Sequence, residues 1–273
     1  MGRTGSSGRN PAPLPSLSFR SMLAAVLNGD VKELAELIRQ DPGFNVNQQD
    51  EDGWTLLHHA FNGNHGSVVI PLLLAHPDID VNAKTVHGYT PFFYAGDGRP
   101  SCVHEMLKDS RVKVNEPDNH GFTPLWWAAA RGHLDVIKWW VASGREMDLG
   151  EPGDIHKTDA IGRAKNWGKT EVASLLQRFK ENSEETRSQM RVELGLDDAL
   201  AAEMFALVVF VSNGLLQIKD TTPSPAARYF SIASQLPLEL QMVMCHRVVE
   251  SDKEIIPGKE SEAAFKELAR KLW

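Results

Sequence analysis

The chain has 273 residues, 42% of them apolar and 24% charged, the balance of a globular protein rather than a disordered or fibrous one. Its formal net charge of −7 argues against a nonspecific nucleic-acid binder. Two cysteines, Cys102 and Cys245, are too few for a disulfide scaffold, so reduced thiols in the cytoplasm or nucleus are the expectation.

Residues 1–15 (MGRTGSSGRNPAPLP) are rich in Gly, Ser and Pro, lack the apolar stretch of a secretory signal, and read as a disordered leader. Met1 to Ser6 formally fits a myristoylation pattern, but a flexible leader is the favoured reading. Nothing spans a membrane: the longest apolar run, Met204 to Val211, falls far short of the roughly 20 residues required.

From about Ser18 the chain repeats itself. Alanines at 25, 60, 95, 128 and 164 recur at spacings of 35, 35, 33 and 36. The clearest unit runs from Asp118 to Asp148. Gly121 supplies a turn that a Cβ residue resists, Thr123 and Pro124 open a helix, and Ala128 and Ala129 permit close approach. Gly132 and His133 turn the chain, and Val136 and Ile137 begin a second apolar face. One such unit cannot bury its own apolar face, so neighbours are required.

This pattern, Asp-x-x-Gly-x-Thr-Pro-Leu followed by paired alanines and Gly-His, resembles the ankyrin repeat. The resemblance covers about Ser18 to Lys180, strongly in units two to four and less so in units one and five. Unit one lacks the Gly-x-Thr-Pro turn, and unit five, from about Gly153 to Phe179, keeps only its helices. Asn64 stands where the helix-breaking glycine is usual, and Arg99-Pro100 replaces Gly-His in unit three. Phe93 and Trp126 stand in the place of the histidine kept as His58, so packing is expected to join units three and four. Pro71 lies inside a helix and is expected to distort it.

The tail is helical without the repeat. Asn182 and Glu185 mark a helix start. Residues 197–213 read as a nearly all-buried helix ended by Gly214, with Met204, Leu207, Val208 and Val211 on one face. A loop at 221–226, a short helix at 227–235, a helix with Leu240, Val243, Met244 and Val248 on one stripe, a break at 253–259 and a last helix through Trp273 follow. Such a block is expected to cap the solenoid.

No nucleophile elbow, phosphate loop or metal-spaced histidine cluster is visible, so neither catalysis nor a cofactor is expected. His58 and His59 are adjacent and point to different sides of a helix, and Asp50, Glu51 and Asp52 read as a solvated turn. Trp139 and Trp140 read as packing residues of a second helix.

The candidate site is aromatic. The resemblance places the residue between Gly and Thr at the tip of an exposed turn finger, and here those residues are Trp54, Tyr89 and Phe122. Tyr94 and Trp127 share a later position in the first helix. Either these rings pack the fingers together, or they form anchors on a concave face for a protein partner. In the tail, Leu236-Pro237-Leu238-Glu239-Leu240 followed by Phe265 to Trp273 is similar to an F-box, and some poxvirus ankyrin proteins carry a related C-terminal helical block. That similarity implies a ubiquitin-ligase adaptor as the alternative function.

The sequence therefore predicts an all-α ankyrin solenoid at 16–180, about five units long, and a helical domain at 181–273. Its expected function is non-catalytic protein binding.

Overall fold

The computed structural model describes residues 17–150, 159–212, 233, 238–248 and 264. The leader, its myristoylation pattern, the loop at 221–226, the break at 253–259 and the residues after 264 lie outside them. The described residues contain helices and no strand, and the chain divides after Arg187 into two compact units.

The first unit is a stack of helix pairs: α1 (Leu17–Asn28) with α2 (Val31–Gln40), and α3 (Leu56–Asn62) with α4 (Gly66–Leu74). A 3-10 helix (Pro91–Asp97) then pairs with α5 (Pro100–Leu107), α6 (Pro124–Arg131) with α7 (Leu134–Ser143), and α8 (Ala160–Asn166) with α9 (Thr170–Glu181). First helices pack on first helices and second on second, in chain order. The five recurring alanines are each at most 1% exposed, as close helix contacts demand. The largest buried side chains, among them Phe61, Phe92 and Trp140, fill the space between the two rows, where the Phe92 and Trp140 rings meet edge to face at 4.9 Å.

The helix starts follow from the local sequence. Thr123 Oγ1 accepts the Trp126 N–H, and Pro124 occupies the first helical position, where its missing N–H breaks no bond. Asp30 and Asp159 cap α2 and α8 in the same way. Pro71, expected to distort α4, lies inside a continuous Gly66–Leu74 helix with its ring exposed.

Unit three corrects the sequence register. The left-handed glycine between the helices is Gly98 (φ +81°), the counterpart of Gly132 (φ +82°), so Arg99 takes the place of His133 rather than of a glycine. The tighter winding of the 3-10 helix accounts for the slip. The Gly98 N–H bonds the Ala95 carbonyl three residues back, whereas the Gly132 N–H bonds the Ala128 carbonyl four back. Unit two departs further: Gly63 ends α3 with φ −76°.

Asparagines join successive units. Asn47 Nδ2 donates to the Asp78 carbonyl while its Oδ1 accepts the Asp80 N–H. Asn82 does the same with Arg111 and Lys113, and Asn115 with Glu146 and Asp148.

Beyond the repeats, Asn182 caps α10 (Ser183–Glu193) by accepting the Glu185 N–H. In the second compact unit, α11 (Leu196–Ser212) packs on α12 (Leu238–Val248). Its core comprises Ala201, Ala202, Phe205, Ala206, Val208, Ala233, Cys245 and Ala264. The expected faces are shifted. Leu207 and Val211 are only partly buried, and Val248 is 50% exposed, while Gln241, Cys245 and His246 are buried. Alanines, Cys245 and buried polar residues share this interface with Phe205 and Val208, so of the expected stripes Val208, Met204 and Met244 meet it while Leu207, Val211 and Val248 do not.

Candidate binding surface

Each finger is built by the same few bonds. In unit two, Asp50 N–H donates to the Trp54 carbonyl and Gly53 N–H to the Asp50 carbonyl, with Gly53 left-handed at φ +80°. Asp50 Oδ1 also accepts the Asp52 and Trp54 N–H groups. Asp118, Gly121 and Phe122 repeat this arrangement in unit four, and Thr85, Gly88 and Tyr89 a variant in unit three. Trp54, Tyr89 and Phe122 thus sit at the closing pair of each finger, half-buried, rather than at the exposed tip that the sequence suggests.

Backbone bonds tie finger to finger: Val86 N–H donates to the Asp52 carbonyl and Asn119 N–H to the His87 carbonyl. Gly88 is confined by this stacking, since a Cβ there would lie 2.3 Å from Asn119 Oδ1. Units three and four are therefore joined by hydrogen bonds as well as by packing. His58 spans units two and three. Its Nδ1 lies 3.1 Å from the Thr55 amide, and its Nε2 lies 3.0 Å from the Tyr89 carbonyl. Burial drives its pKa down to about 4, so the ring is neutral, with Nδ1 accepting and Nε2 donating. In units three and four, Phe93 stacks on Tyr89 at 4.4 Å and Trp126 on Phe122 at 4.3 Å. With no imidazole at 93, Thr90 Oγ1 is left buried without a partner.

The five candidate residues gather into two ring clusters. Trp54 meets Tyr94 of the next unit at 4.9 Å, and Tyr94 meets Tyr89 edge-on at 6.1 Å. Burial first, and the Tyr89, Asp50 and Asp52 charges after it, hold the Tyr94 phenol well above the usual range. His59 adjoins Trp54 at 5.1 Å and pairs with Asp50 at 2.8 Å. In the second cluster Phe122 contacts Trp127 at 6.1 Å, and Arg131 lies over the Trp127 ring at 5.2 Å.

Sequence reasoning missed Arg163 and Trp167. The Arg163 guanidinium carbon lies 4.1 Å from the Trp126 ring centre and 4.5 Å from that of Trp167. The signal was available, because Arg163 stands one residue before Ala164, as Tyr94 stands before Ala95 and Trp127 before Ala128. Trp139 and Trp140 lie in the second-helix row, Trp140 fully buried and Trp139 against His104 at 4.0 Å. Both cysteines are buried, and burial pushes the Cys102 thiol up, away from the reactive thiolate. Among the described residues no His, Cys, Asp and Glu cluster could hold a metal, and no helix is long and apolar enough to cross a membrane.

Comparison with known proteins agrees with this geometry. Residues 21–118 match a model of ankyrin repeats in three copies, and residues 120–140 match the single ankyrin repeat. Over 96 residues, 35% of the chain, it is 50% identical to rabankyrin-5 of Homo sapiens. It is 33% identical over 98 residues, 36% of the chain, to a putative ankyrin repeat protein of Rickettsia bellii. It is 32% identical over 111 residues, 40% of the chain, to alpha-latrotoxin-Lg1a of Latrodectus geometricus. These matches span 8%, 54% and 8% of the respective relatives. None of the matched family segments reaches the tail, so the F-box similarity gains no support, and most of its residues (236, 237 and 265–273) lie outside the described ones. Residues 21–118 and 120–140 are ankyrin repeats, units that build protein–protein interaction modules, and they form the body of an all-helical solenoid.

Proposed function

We propose that the fingers and first helices bind a protein partner, with Trp54, Tyr89, Tyr94, Phe122 and Trp127 as the anchors, and that the chain acts without catalysis in the cytoplasm or nucleus. One observation carries the reading: Trp54 and Tyr94 meet across a unit boundary at 4.9 Å while both stay only partly buried. Rings clamped by rigid neighbours lose little conformational entropy when a partner covers their free faces. Aromatic side chains of this kind dominate interface energetics. The ligase-adaptor alternative has no observation in its favour.

Affinity purification of the full chain with quantitative mass spectrometry tests the reading. A defined partner set that Trp54→Ala and Tyr94→Ala both deplete supports it. A partner set retained in full by both folded variants contradicts it, and a cullin complex among the partners would restore the adaptor alternative.

A further inference from the structure

Phe122, Trp126, Arg163 and Trp167 form one column. Phe122 stacks on Trp126 at 4.3 Å, Trp126 lies 4.1 Å from the Arg163 guanidinium, and Trp167 closes the other side at 4.5 Å. Trp126 is 7% exposed and fixed, whereas Trp167 is 55% exposed, so the column opens at its Trp167 end. Two indole rings lie within 4.5 Å of the guanidinium carbon, and no acceptor among the described residues bonds the group. Arg163 Nε is buried and has no hydrogen-bond partner.

A buried Nε without a partner is shared by Arg99 and Arg187, but these and Arg131 also bond through their Nη atoms. Arg131, one unit earlier, is paired with Asp97 and donates to the Gly96 carbonyl at 3.0 Å. Arg99 donates to the Gly63 carbonyl at 2.9 Å. Their Arg–carbonyl bonds stitch neighbouring units, whereas Arg163 makes none. In sequence, residues 159–171 hold Arg163, Lys165 and Lys169 against Asp159, whose carboxylate already caps α8, and Glu171.

We infer that Arg163, held between Trp126 and Trp167, is the docking point for a carboxylate of an acidic peptide segment in the protein partner. The inference rests on the protein-binding reading above and names the chemistry its partner must carry. A guanidinium matches the two oxygens of a carboxylate, and the indole rings beside it hold the group in place. A carboxylate needs only the one cation held by the rings, and competition by acetate or phosphate distinguishes it from a phosphate, which carries about −1.5 to −2 charge.

The test pans a random linear peptide library against the full chain and measures selected peptides by fluorescence anisotropy. Selected peptides should contain an Asp or Glu whose amide counterpart binds at least about tenfold more weakly. The same loss is expected on Arg163→Gln and on Arg163→Lys, which keeps the charge but not the planar fork, with melting temperatures confirming that both variants fold. Trp167→Ala should weaken binding as well.

Peptides that engage Trp54 and Tyr94 yet tolerate Arg163→Gln, or the amide replacement, overturn this inference and leave the protein-binding reading standing. A library that yields no binders counts against both. Competition by inorganic phosphate but not by acetate at matched ionic strength overturns the carboxylate assignment in favour of a phosphorylated partner.

Discussion

Gly96 of unit three and Trp127 of unit four interlock: a Cβ on Gly96 would lie 2.7 Å from Cβ of Trp127. The absence of a side chain at 96 lets the Trp127 backbone approach, and this seats one of the candidate anchors. Gly96→Ala should therefore shift α6 or the 3-10 helix and destabilise the repeats by about 1–3 kcal/mol. Urea denaturation checks this, and an unchanged midpoint would show that the units separate more easily than their packing implies.

Asn82 makes two inter-unit bonds with one amide, at 2.9 Å to the Arg111 carbonyl and 2.8 Å from the Lys113 N–H. The site is exposed, so water replaces the lost partners in part. Asn82→Ala should cost about 1 kcal/mol. Asn82→Asp keeps the acceptor and loses the donor, so its melting temperature should fall between those of the wild type and the alanine variant.

His58 makes the repeats acid-sensitive. Its pKa is about 4 in the folded chain against 6.5 ordinarily, chiefly through burial. The folded state therefore binds fewer protons than the unfolded state inside that window. Stability is complete above 6.5, declines as pH falls from there to about 4, and levels off below for this group. The full loss is on the order of 3 kcal/mol. Burial lowers the pKa of His104 and His133 too, which adds loss of the same sign. Denaturation midpoints across the window should fall less steeply for His58→Gln than for the wild type, and parallel curves would contradict the assignment.

The repeat period, the caps and the buried alanines were legible because each rests on local chemistry: a hydroxyl before proline, a glycine with positive φ, a small residue at a fixed interval. What eluded the sequence depended on distance. The slip at Gly98 follows from 3-10 winding, which shortens a helix by one residue without changing its composition. The α11 face was only partly legible: Met204 and Val208 of the expected stripe do meet the core, but alanines 201, 202 and 206 share it with Phe205 and do not stand out by size. Arg163 escaped notice because unit five has lost its turn signature, and a cation in an aromatic row does not look like its neighbours until Trp126 and Trp167 close on it.

The central claim is that the aromatic row binds a partner rather than only holding the units together. The direct measurement takes Trp54→Ala, Tyr94→Ala and Trp127→Ala and records two quantities for each: the urea midpoint, and the Kd for a partner isolated with the full chain. Anchors should weaken binding by about 2 kcal/mol or more at the strongest position while most of the folded stability remains. If all three variants lose stability but their folded fraction binds with unchanged Kd, the rings are packing residues and the account is wrong.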